Sequence, residues 1–178
     1  MAARQLNLLA SIGLAVGGAA GMAGTFVEPP LRGLLWTLDG SALVMASAVL
    51  TACFLRAKQD LAAAGFLAFA IGQGLVISTA GQDVVAGAPV FGAGSALWAV
   101  GLAMISTSAV FPLAVRLIGL VAAALFAITA FQIMSGAGVT ALTQPLPAFA
   151  FPVLIATLIG WIWGLLRPGA AGEAAANA

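Results

Sequence analysis

The chain has 178 residues, of which 63% are apolar and only 6% charged, and its formal net charge is +1. A water-soluble domain carries roughly a quarter charged residues, so this composition excludes a soluble domain of any size. It also excludes a nucleic-acid partner, because no basic patch is present to meet a phosphate backbone.

The charges fall in short gaps between apolar runs of about twenty residues, the length an α-helix needs to cross about 30 Å of hydrocarbon. Six such runs are predicted, over residues 6–27, 34–55, 61–79, 90–111, 117–135 and 146–166. The expected fold is an all-α membrane protein, a six-transmembrane-helix bundle with short loops. Residues 1–167 form its single transmembrane domain, and the small-residue segment 168–178 reads as a disordered cytoplasmic tail.

The first run begins after Arg4, a pattern shared with secretory leaders. Its apolar stretch continues through Met22 to Val27, longer than a leader core, so it is expected to remain as a helix. Gly13, Gly17 and Gly21 stand four apart on one face, with Gly24 a turn further. Rows of small residues let helix backbones approach closely in lipid. The row is expected to pack within the bundle, with a homodimer seam as the other use. Glu28, Pro29 and Pro30 end this helix, since proline cannot continue one and biases its predecessor to extended backbone.

The second run contains Asp39, the one ionisable group at membrane depth. Charges there are costly and usually tied to function. Asp39 reads either as a cation, proton or cationic-ligand site, or as a first-turn carboxylate complementing the helix dipole. The dipole reading requires the helix to begin near Thr37. Trp36 lies three residues before Asp39 on the same face. Gly40-Ser41-Ala42-Leu43 recurs as Gly94-Ser95-Ala96-Leu97 in the fourth run, a match of small, common residues that is expected to be coincidental.

Gln73 in the third run and Gln132 in the fifth fall at similar depth to Asp39, with Thr129 near Gln132 and Ser95 just inside the fourth run. Membrane glutamines hydrogen-bond across helices. Asp39, Gln73, Gln132 and Trp36 are therefore the candidate ligand-binding residues, forming one polar belt in the outer leaflet. A loop over residues 80–89 precedes the fourth run. Ser106, Thr107 and Ser108 near its end are expected to satisfy carbonyls freed by Pro112.

Orientation follows the distribution of basic residues. With both termini in the cytoplasm, Arg4, Arg56, Lys58, Arg116 and Arg167 lie inside and only Arg32 outside. Trp161 and Trp163 are expected at the inner interface and Trp36 at the outer one. Arginine outnumbers lysine five to one and alanine is abundant, a GC-rich bias that points to a bacterial inner membrane.

No catalytic constellation is present. The chain lacks histidine, and Lys58 is its only lysine, so a serine or cysteine nucleophile has no base at membrane depth. One intramembrane carboxylate does not make an aspartyl dyad. Cys53 is the single cysteine, which excludes an internal disulfide and a redox pair. No residue group has zinc, haem or iron–sulfur spacing, so no metal or cofactor is expected. The expected partners are the lipid bilayer and either a second copy or another membrane protein. The expected function is transport or binding of a small polar or amphiphilic molecule, or else a structural, accessory role without a ligand.

Overall fold

A computed structural model describes residues 2–28, 30–80, 82–138, 144–146 and 148–167. The tail over 168–178, expected to be disordered, lies outside the described residues. Six helices follow in order: α1 Ala2–Thr25, α2 Leu31–Arg56, α3 Asp60–Ser78, α4 Val84–Thr107, α5 Leu113–Met134 and α6 Ala150–Leu166. The first five are long and apolar enough to cross a membrane. The sixth has 17 residues, or about 25 Å at 1.5 Å per residue.

Several boundaries differ from the sequence reading, and three of the shifts have a clear local reason. The fourth helix starts at Val84 instead of near residue 90. The Asp83 carboxylate accepts hydrogen bonds from the backbone N–H groups of Val85 and Ala86, at 3.0 and 3.2 Å. That N-cap satisfies donors a helix start leaves free, and Pro89 is tolerated in the second turn. The same helix ends at Thr107, short of residue 111, because Ser108 turns extended before Pro112 begins α5. The sixth helix begins at Ala150, not near residue 146. Ahead of it, Phe149 and Ala150 both donate their N–H to the Pro145 carbonyl.

The α2 and α5 helices end in the same way. Gly136 takes φ +81°, and Ala137 N–H reaches back to the Gln132 carbonyl at 3.0 Å. Lys58 takes φ +56°, and Gln59 N–H reaches back to the Phe54 carbonyl at 2.9 Å. This six-residue closure is a Schellman motif, which favours glycine at the left-handed position. The α2 terminus carries a lysine there instead. At the end of α4, Arg116 Nε and an Nη donate to the carbonyls of Ser106 and Thr107 at 2.8 and 3.2 Å. The Thr107 and Ser108 hydroxyls bond the Ala103 and Ile105 carbonyls, but the buried Ser106 hydroxyl has no partner among the described residues. Because α4 ends before Pro112, the proline frees none of its carbonyls, contrary to the expectation for this cluster.

Each helix packs on its neighbour in sequence, and α6 returns to α1, closing the bundle into a ring. Asn7 Nδ2 donates to the Leu165 carbonyl at 3.4 Å, so the start of α1 and the end of α6 lie at one face. We call it the terminal face. The α1 glycine row meets α2 of the same chain. A methyl group on Gly13 would lie 2.9 Å from Ala46 Cβ, and one on Gly17 would lie 2.6 Å from Leu43 Cγ. The intramolecular use of the row is the one observed.

Inside the ring lies an aromatic core. Trp161 of α6 meets Phe66 edge-on at a centroid distance of 4.9 Å and stacks on Phe111 at 6.1 Å. Trp98 of α4 meets Phe126 edge-on at 5.0 Å and stacks on Phe69 at 5.9 Å. Trp161 is only 1% exposed, which corrects its expected interfacial position. In lipid, close packing rather than water exclusion joins helices, and the large rings fill the space the ring of helices leaves. Trp163 stays exposed, with the Arg167 guanidinium 3.3 Å from its ring centroid.

Candidate functional site

The aromatic core does not fill the ring to its far end. Toward the face opposite the termini lies a cavity of about 110 Å³. Its walls come from α1, α2, α3, α4 and α6, with Leu146 ahead of α6 and the α3–α4 loop at the mouth. The lining is mostly apolar. Asp39 and Gln73 stand out against it.

Asp39 lies eight residues beyond Leu31, the first residue of α2, or about 12 Å along the axis. That depth removes the first-turn dipole reading, which needed α2 to begin near Thr37. The carboxylate is half-buried, and its Oδ2 accepts a hydrogen bond from Gln73 Nε2 of α3 at 3.3 Å. No lysine or arginine forms an ion pair with Asp39 among the described residues, and none lines the cavity. The second acid on the lining, Asp83, is held at the mouth by its helix cap.

Gly21 explains how the carboxylate fits. A methyl group there would lie 2.9 Å from both the Asp39 carboxyl carbon and one of its oxygens. The glycine row that brings α1 onto α2 thus also leaves room for the acid. One turn further, the Trp36 indole occupies the gap at Gly24, where a methyl would lie 2.6 Å from Cδ1. Arg32 sits above this indole, 5.8 Å from its centroid, and its Nε donates to the Val27 carbonyl at 2.9 Å. Arg32 is therefore engaged outside the cavity lining.

Gln73 is wholly buried, and its Oε1 accepts no hydrogen bond. Trp98 is 2% exposed, and its Nε1–H likewise lacks an acceptor. Both side chains line the cavity. Buried polar atoms without a partner are uncommon and costly. The cavity therefore presents one carboxylate, and the Gln73 amide oxygen and Trp98 indole N–H are enclosed in its wall.

The predicted belt divides. Asp39, Gln73 and Trp36 share the cavity. Gln132 does not line it. It lies in the last full turn of α5, half-buried, with its carbonyl taking bonds from Ser135 Oγ and Ala137 N–H. None of the α5 residues lines the cavity. Thr129 is buried and turns its hydroxyl back to the Leu125 carbonyl. The buried Ser95 also lies off the lining.

Gly21, Ala88 and Trp98 were not singled out for this site. Gly21 carried a signal as part of the glycine row. Nothing in the spacing of Ala88 or Trp98 marked them. Among the described residues no cluster of acids and cysteine suits a metal ion. Comparison with protein-family models, curated proteins and solved structures finds no match to this chain.

Proposed function

We propose that the protein is a non-enzymatic, multi-pass protein of a bacterial inner membrane that receives a small polar or amphiphilic molecule in this cavity. The observation that carries the reading is the Asp39–Gln73 pair at the side of a cavity formed by five of the six helices. An ionisable residue at membrane depth that faces a cavity marks a ligand or ion path by default. Apolar walls with a few convergent polar groups are the usual form of a small-molecule site. The other reading, an accessory subunit, rests on the same hydrogen bond taken as glue between α2 and α3.

Accessibility separates them. Ala88 of α4 is half-buried and lines the cavity, and Ser78 is exposed at the end of α3. In a Cys53→Ala background, Ala88→Cys should react with methyl methanethiosulfonate, a small uncharged thiol reagent, in detergent-purified protein. Failure to react under conditions that modify Ser78→Cys completely would mean that the cavity admits nothing, and the accessory reading would stand.

A further inference from the structure

Resting on that reading, we infer that the cavity selects a monocationic amine with a compact apolar body. The acids on the lining are Asp39 and Asp83, and no basic side chain faces them there. Asp83 is committed to the α4 cap. Asp39 spends one oxygen on Gln73 Nε2 and keeps the other, Oδ1, for a donor. Gln73 Oε1 also lacks a partner but is enclosed in the wall, so the Asp39 carboxylate is the acceptor open to an occupant. A lone carboxylate in an apolar wall, with no basic side chain beside it, matches the N–H groups of an ammonium, which has donors only.

The remaining groups argue against a bare metal cation. The Thr25 and Thr79 hydroxyls on the lining donate to backbone carbonyls of their own helices. The side-chain oxygens of Asp39, Gln73 and Gln82 fall short of the six to eight oxygens a calcium ion takes, and most of the wall is hydrocarbon and aromatic ring. Phe91, Trp98 and Phe151 lie on that wall. Their ring faces favour an apolar or aromatic body attached to a cation. The volume of about 110 Å³ is on the scale of cavities that hold a benzene-sized molecule. A diacyl lipid is far larger.

The test uses the full chain with Ala88→Cys in the Cys53→Ala background. Benzylammonium should slow modification by methyl methanethiosulfonate, and benzyl alcohol, its uncharged counterpart, should not at equal concentration. Asp39→Asn should remove that protection while Ala88→Cys remains reactive. Equal protection by benzyl alcohol, no protection by benzylammonium, or protection that survives Asp39→Asn would each overturn the inference and leave the receiving cavity in place. No reaction at all would instead remove the underlying reading.

A second measurement needs no change at Asp39. Relative to their rates at Ser78→Cys, the aminoethyl methanethiosulfonate cation should outpace the sulfonatoethyl anion at Ala88→Cys by about tenfold or more, as charge focusing in a low-dielectric cleft requires. Equal normalised rates would overturn the inference even if Asp39→Asn failed to fold.

Discussion

Asp39 acquires its character from a residue with no side chain. The carboxylate occupies the space beside Gly21, where any Cβ would press on it at 2.9 Å. Its position was legible as a lone acid in an apolar run, whereas its partner was not. Asp39 and Gln73 are 34 residues apart, and only the packing of α3 on α2 brings their side chains together. Gly21→Leu should drive the carboxylate from its place and break its bond to Gln73. Overpacking of this kind typically costs about 1–3 kcal/mol, and thermal unfolding in detergent would register it. Unchanged stability would show that α1 yields readily and does not hold the acid.

Helix ends carry a second lesson, because capping chemistry moved boundaries that hydropathy had placed. Hydropathy leaves Asp83 in the loop over residues 80–89. Its side chain instead starts α4, and with that cap the helix begins ahead of Pro89. At the end of α2, Lys58 holds the left-handed position that Gly136 holds after α5. A residue with a Cβ pays about 1 kcal/mol or more in that conformation. Lys58→Gly should therefore stabilise the bundle by up to about 1 kcal/mol, raising the thermal midpoint in detergent. A lower midpoint would mean that the lysine side chain contributes more than its backbone costs. The glycine row of α1 belongs to this scale as well. Its spacing was plain in the chain, and its partner proved to be α2 of the same chain.

At the scale of the whole molecule, the closed ring places the start of α1 and the end of α6 at one face, toward which lie Arg56 at the end of α2, Lys58 in the loop after it and Arg116 in the first turn of α5. By the positive-inside rule this face is expected on the cytoplasmic side, with the cavity mouth outward. Single cysteines at Asp83 and Gly138, in a Cys53→Ala background, should react with a membrane-impermeant thiol reagent applied to intact cells, and one at Gln59 should not. Reaction at Gln59 with protection at Asp83 would invert the protein and turn the cavity mouth to the cytoplasm.

The sequence by itself determined the class, the number of helices and the approximate ends of most of them. Those properties follow from local quantities: the length of an apolar run, the cost of charge in hydrocarbon and the stop signals of proline. It also determined spacing along each helix, because residues advance by a constant rise, but the depth of Asp39 waited on where α2 begins. What it left open was rotation about each helix axis and which helices meet inside the ring. Gln73 and Gln132 sit at comparable depth with similar chemistry, yet α3 turns Gln73 into the cavity while α5 keeps Gln132 off its lining. Trp161 looked interfacial from its place near a helix end, and the ring drew it into the aromatic core. In a chain this uniformly apolar, every helix face reads alike. Only the fit of side chains between helices chooses which face turns inward, and that choice is made by tertiary packing.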